Sequence, residues 1–333
     1  MKPFIIPIFL PQAGCPHRCV FCNQYAITNV STQQIHPNHL SGIVDQFLKY
    51  NHHQNANVQI SFYGGNFLGL PENQILELLE TAQTYIHSQK IQSIRFSTRP
   101  DTIKKNRLQL LKNYAIKTIE LGVQSMNDQI LALSRRGHSS DDTRLASMIL
   151  KDYGYQVGHQ LMPGLPGDTD KTFDNTIEEV IALKPDFVRL YPTLVLKGSL
   201  LAKWYLANRY TPLTLNRAVS LVKNCLIKFQ NNQIPVIRIG IQPQDQLERY
   251  ILAGPYHPAF GHLVYSEILL DSVTETIKQT CSNQIIIVVN PRQVSKLKGI
   301  NKNNVMQLTH RFPQKNIRIV SDPGIPNLCV LEI

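Results

Sequence analysis

The 333-residue chain has no apolar run long enough to cross a membrane. Its N-terminal apolar stretch, FIIPIFLP (4–11), is broken by Pro7 and carries no small-residue cleavage site, which argues against a secretory signal. Cysteine is scarce. There are six, too few and too unevenly placed for a disulfide scaffold, and the expected compartment is the cytoplasm, where thiols stay reduced. Charged residues are only 17% of the chain, and fibrous or low-complexity segments are missing, so neither a disordered nor a fibrous protein fits.

What is present is a globular composition, 43% hydrophobic. The length exceeds an ordinary single domain but suits one β/α barrel, and it can bury a large core unaided by disulfides. Thirty-four Lys and Arg against 23 Asp and Glu give a net charge of +11 and a pI of about 9.3, which points to an anionic partner. The cations are dispersed. Small groups at Lys104, Lys105 and Arg107, at Arg135 and Arg136, and at Lys296, Lys298 and Lys302 read as solvated faces.

Short β-rich runs alternate with helical patterns. Strands are expected at 5–10, 58–63, 93–98, 118–123, 156–162, 187–192 and 236–241. Helices are expected over 72–89, 101–114, 139–153, 170–184 and 213–229, with Asp101, Ser140 and Asp170 as N-caps. In the first of these, Ile75, Leu78, Leu79, Ala82 and Ile86 recur at three- and four-residue steps, marking one buried face. Such βαβ order predicts an α/β fold, a partial parallel β/α barrel of about six βα units. Residues 1–242 would form the barrel and 243–333 a small α/β extension with two strands of alternating Ile and Val; His257 and His262 flank a loop read as solvent-facing.

In such barrels function collects at the carboxyl ends of the strands. The first strand-end loop contains CPHRCVFC (15–22), which puts Cys15, Cys19 and Cys22 at CxxxCxxC spacing. An odd thiol count disfavours disulfides, and a structural zinc wants a fourth ligand that does not follow at finger-like spacing. His17 lies within the loop, its ring expected to point away. Three cysteines without a local fourth suit a 4Fe-4S cluster that keeps one iron open. Cys225, Cys281 and Cys329, each about fifty residues apart, read as buried single thiols.

CPHRCVFC resembles the cluster motif of the radical S-adenosylmethionine (SAM) superfamily. The resemblance implies that the three cysteines hold the cluster, that the open iron binds the amino and carboxylate groups of SAM, and that Phe21 packs near the adenine. SFYGGNF, with Gly64 and Gly65 directly after a strand, is similar to the superfamily's glycine-rich turn for the SAM amino group. Asn66 stands where Glu or Thr is commoner. Further strand-end groups are assigned to SAM by the same resemblance: Ser97 and Arg99, whose fork would suit a carboxylate, Glu120 and Gln124 in IELGVQS, and Gln160 and Met162 beside His159. Arg189, Tyr191, Thr193 and Arg238 are expected at the barrel mouth.

Within the superfamily, CPHRCVFCNQ, STRPDTI, IELGVQSMNDQIL, RRGH, LMPGLPGDT and RLYPTLV most resemble the radical SAM domain of the Elongator catalytic-subunit family. Some of these blocks recur loosely in oxygen-independent coproporphyrinogen oxidase-like proteins. The implied chemistry is reductive cleavage of SAM to a 5'-deoxyadenosyl radical that takes hydrogen from a substrate, tRNA or another anionic molecule. An external donor such as flavodoxin or ferredoxin would supply the electron. The Elongator proteins continue into an acetyltransferase domain, for which this chain has no room before Ile333. The alternatives are an iron–sulfur or RNA-binding barrel without turnover and a coproporphyrinogen dehydrogenase-like enzyme. The retained cysteines, Phe21 and the Gly-Gly turn favour the enzyme.

Overall fold

The computed structural model describes residues 3–16, 18–30, 37–50, 57–243, 246–326 and 328–332. His17 lies outside them. The chain divides into two compact units, one of residues 1–214 and 228–256, the other of 215–227 and 257–333.

The first unit is built on β1 (Phe4–Phe9), β2 (Val58–Tyr63), β3 (Ser93–Thr98), β4 (Ile116–Gln124), β5 (Gln156–Leu161) and β6 (Phe187–Leu190). A two-stranded ribbon follows, β7 (Val195–Leu196) with β9 (Ile251–Ala253), and between its strands in sequence lies β8 (Val236–Ile239). The main sheet runs β1-β2-β3-β4-β5-β6-β8, with every pair parallel. This is the partial β/α barrel expected, and all seven anticipated strands are in it.

Strand alternation gives the sheet two different faces. One carries Ile6, Ile8, Ile60, Phe62, Ile94, Phe96, Ile119, Leu121, Val157 and Val188, all buried. Phe67, from the turn after β2, stacks between Phe62 (5.0 Å between centroids) and Phe96 (4.6 Å), fastening that turn to the apolar face. The opposite face carries Ser61, Tyr63, Arg95, Ser97, Glu120, Gln160, Arg189 and Tyr191. Parallel strands covered on both sides usually read as continuous apolar runs, so a polar second face marks a lining rather than a core.

The local elements depart from expectation at four points. Helix Ser140–Asp152 is capped by Ser139 and helix Asp170–Leu183 by Thr169, each one residue earlier than expected. Reciprocal bonds decide it: Ser139 pairs with Asp142, and Thr169 with Thr172. Asp101 caps nothing. It lies in the 3-10 turn Pro100–Thr102, and only Lys105–Gln109 is α-helical in the stretch read as one long helix.

The second unit packs helix Phe260–Gln279 with a sheet ordered β11 (Asn316–Ser321), β10 (Gln284–Val289), β12 (Leu328–Glu332). Among the described residues, 243–333 holds four strands, β9 to β12, two more than anticipated; the core of this unit holds Leu270, Val273, Ile277, Ile285 and Ile287. Cys225 is buried, but Cys281 is exposed in the connection before β10, contrary to the buried-thiol reading; the Cys329 side chain lies outside the described residues. His257 and His262 are half-buried, and His257 Nδ1 accepts a bond from the Ala259 N–H (3.0 Å).

His159 also sits otherwise than expected. It belongs to the apolar face, 1% exposed, with Nε2 2.9 Å from Ser147 Oγ on helix Ser140–Asp152. Burial, with Lys151 adding to it, pushes its pKa down to about 3. The unfolded chain binds this proton more readily, so stability is complete above the ordinary histidine pKa of about 6.5 and is lost as pH falls towards 3. Urea unfolding between pH 7 and 5 is therefore expected to show falling stability, and His159→Leu to flatten the slope by up to about 1.4 kcal/mol per pH unit. An unaltered slope in the variant would count against a neutral buried ring.

Candidate functional site

The loop after β1 is held by short internal turns and by its neighbours. Cys15 N–H donates to Gln12 O (3.2 Å), Cys22 N–H to Cys19 O (3.0 Å), and Val20 N–H to Ser134 O (3.1 Å). Gln24 bridges the loop to the next one, accepting from the Gln12 N–H and donating to the Gly64 carbonyl. A methyl on Gly65 would collide with the Ala13 and Leu10 carbonyls, so close backbone approach is what this glycine supplies.

Cys19 is buried and Cys15 and Cys22 half-buried on this loop. Burial, then repulsion from Cys19, raises the Cys15 thiol; burial, then Cys19 and Cys15, pushes Cys22 up to about 12. The three sulfurs therefore feel one another. Among the described residues no three His, Cys, Asp or Glu are drawn together around a point that would hold a single metal ion. A cluster is less demanding, because each thiolate binds a different iron, and soft thiolates on one loop are the donor set it takes.

Arg136 faces this set. Its Nη1 donates to Cys19 Sγ (3.1 Å) and its Nη2 to the Gly122 carbonyl (2.6 Å), and it pulls the Cys15 and Cys22 pKa values down against the effect of burial. Arg136 was read as part of a solvated pair but is 7% exposed. A Cβ on Gly122 would lie 3.1 Å from Arg136 Nη2 and 3.0 Å from Gln124 Nε2, so the missing side chain leaves room for both.

The other anticipated residues divide. Phe21 packs beside Val20, Val195 and Leu201, an apolar cluster that also touches Trp204 and Tyr205. Gln124, at φ +69° where the β4–β5 register shifts, accepts at Oε1 from Gln160 Nε2 (3.3 Å), and its carbonyl accepts from the Met162 N–H (3.0 Å). Ser97 is half-buried and in register with Glu120. Ser97, Gln124, Gln160 and Met162 thus lie at or beside the ends of their strands, and Phe21 in the loop after β1.

Asn66, Arg99 and Glu120 are committed to the protein itself. Asn66 Oδ1 accepts from Thr98 Oγ1 (2.7 Å), the Arg99 N–H (3.0 Å) and Thr102 Oγ1 (3.1 Å), while Nδ2 donates to the Gly14 carbonyl (2.9 Å). Arg99 makes a fork with Asp101, Nε to Oδ1 and Nη2 to Oδ2, both 2.9 Å. Glu120, 1% exposed, accepts from Arg95 Nε and from Arg189 Nη1 (2.8 Å). Arg95 was missed, although an arginine amid the strand run SIRFST is a signal that one face is not core. Thr193 is buried.

Asn66→Ala removes all four bonds and takes away the partner of the Gly14 carbonyl in one loop and of the Arg99 N–H in another, while the Thr98 and Thr102 hydroxyls keep each other. A loss of about 2–4 kcal/mol in urea unfolding is expected. A change below about 0.5 kcal/mol would show that the loops are held by other means.

Against this geometry, comparison with known proteins is specific. The pattern of the Radical SAM superfamily matches residues 9–180, and that of the Radical SAM C-terminal domain matches 185–269. The tRNA uridine(34) acetyltransferase of Dehalococcoides mccartyi is 28% identical over 281 residues, 75% of this chain and 60% of that protein. The chain spans 31–60% of the length of the three tRNA uridine(34) acetyltransferases it matches. Two solved structures share the fold. The archaeal Methanocaldococcus infernus Elp3, with an N-terminal deletion, superposes with a TM-score of 0.63 at 22% identity over 82% of this chain and 64% of that one. Coproporphyrinogen III oxidase from Escherichia coli does so with a TM-score of 0.50 at 18% identity over 69% and 53%. The first pattern alone takes in just over half of the chain, from the last residue of β1 into the helix that follows β5, and so the chain belongs to the radical SAM superfamily, enzymes that bind a 4Fe-4S cluster and SAM.

Proposed function

We propose that the chain is a radical SAM enzyme that holds its 4Fe-4S cluster through Cys15, Cys19 and Cys22 and acts in the cytoplasm on a tRNA. The observation that carries this reading is the three-thiol loop at the carboxyl end of β1, tied by Gln24 and Gly65 to the glycine turn after β2 and faced by Arg136. The tRNA rests on the likeness to proteins named tRNA uridine(34) acetyltransferase and agrees with a net charge of +11.

When bound, the cluster and SAM supply one-electron cleavage of the sulfonium and a carbon radical able to take hydrogen from substrate. The electron comes from an external donor such as flavodoxin or ferredoxin. The chain's own part is placement and exclusion of water. Gly64 and Gly65 let backbone approach the SAM amino group, and Phe21 with its apolar neighbours offers the adenine a dry surface. Ser97, Gln124, Gln160 and Met162 line the polar mouth. Asn66 acts by fixing the loops, and Arg99 by bracing its own turn through Asp101. Arg136, with Nη1 on Cys19 Sγ, sets a positive charge beside the thiol loop that works against the rise of Cys15 and Cys22.

The test is anaerobic reconstitution with iron and sulfide, addition of dithionite and SAM, and chromatography for 5'-deoxyadenosine. The wild type is expected to release it and Cys19→Ala to release none, with iron content and the visible cluster absorption falling in parallel. Failure of the wild type to take up a cluster would remove the basis of the reading.

A further inference from the structure

The polar face of the sheet carries more positive charge than its carboxylate balances. Arg95 and Arg189 project from it, and Arg238 stands in register with Arg189 on the neighbouring strand. Glu120 answers the first two, taking Arg95 Nε on one oxygen and Arg189 Nη1 on the other. Glu120, Arg189 and Arg95 act on the Tyr63 phenol, and Arg189, Glu120, Arg238 and Tyr63 on that of Tyr191, so three guanidinium groups share this lining with one carboxylate. The balance is +2.

Two of the guanidinium donors, Arg95 Nη2 and Arg189 Nε, are buried with no hydrogen-bond partner among the described residues. A buried donor without a partner is costly, and a net charge in a low-dielectric lining more so, unless a ligand of opposite charge completes the set. The Arg189 guanidinium lies 5.2 Å from the Tyr63 ring centroid and 5.6 Å from that of Tyr191, which fixes its orientation. Its side chain is 19% exposed, so a solute can reach it.

We propose that this face of the half-barrel binds a compact oxyanion of the substrate, a carboxylate or a phosphate, held by Arg189 and Arg238 beside the Arg95–Glu120 pair. Planar forks suit both anions through paired N–H donors. The identity of the bound molecule as substrate rests on the radical SAM reading above; the anion site itself rests on the charge balance and the two unpaired donors.

The experiment is isothermal titration of the reconstituted 333-residue chain, at low ionic strength, with acetate and with inorganic phosphate in separate runs. Saturable binding of either anion is expected, with the preferred one naming the substrate group. Affinity should fall about tenfold or more in Arg189→Gln and in Arg238→Gln, and stay unchanged in Arg249→Gln, an exposed arginine elsewhere in the unit. Arg238 is half-buried, so its variant carries the test should Arg189→Gln not fold. No saturable binding of either anion, or equal affinity in Arg189→Gln and Arg249→Gln, overturns the proposal. Displacement of the anion by SAM overturns it too, because the site would then serve the cofactor's own carboxylate. The two readings fail separately: anion binding by reconstituted protein that releases no 5'-deoxyadenosine leaves this site standing alone, and release without anion binding leaves only the enzyme.

Discussion

One side chain ties the mouth of this half-barrel together. Asn66 lies at the end of β2, and its amide reaches back to the Gly14 carbonyl in the cysteine loop and forward to Thr98, Arg99 and Thr102 after β3. Three successive strand-end loops are thereby joined through one buried side chain that makes four hydrogen bonds. Loops otherwise have few means of holding a shape, since their backbone groups have no ladder to join. A carboxylate here would meet the Gly14 carbonyl with no hydrogen to offer, whereas an amide gives at one atom and accepts at the other. The residue that departs from the commoner Glu or Thr is thus suited to the loops it joins.

The second constraint is the polar lining. Arg95, Glu120 and Arg189 form a buried triad across β3, β4 and β6, with Arg95 over the Phe187 ring at 4.6 Å. Buried ion pairs contribute little net stability, because desolvation offsets most of the attraction. Their place on the face opposite the Phe62–Phe67–Phe96 stack fits a lining better than a stabilising core. Burial would lower the Arg189 pKa, but Glu120 outweighs it and raises the value, so the guanidinium stays charged. Of the two faces, one holds the fold and the other is left for chemistry.

Much of this was legible in the chain. Seven short β-rich runs separated by helical periods read directly as parallel strands, because each pattern is local and the crossover rule leaves few ways to connect them. The cysteine loop was equally plain, since three thiols within eight residues stand out in a chain of six. Partners were less legible. Arg99 looked free for a ligand carboxylate, yet Asp101 is only two residues away and takes the fork. Arg136 looked like surface charge, and its burial depends on Gly122 and Cys19, fourteen and 117 residues distant. His159 shares a short segment with Gln160, but alternation turns the two to opposite faces.

The sequence by itself determined the strands, their parallel order, the membership implied by CPHRCVFC and the loop that carries the thiols, because hydrophobic period and motif spacing are short-range properties. Tertiary structure decided which polar residues are spent on the protein and which face the mouth. Asn66, Arg99 and Glu120 have the right chemistry for a ligand but find buried partners within the fold, while Arg136 is brought to Cys19 only when β4 and the β1 loop are packed side by side. Hydrogen-bond satisfaction is a property of the assembled molecule: a donor's partner is whichever acceptor folding leaves within reach, and separation along the chain does not set that distance.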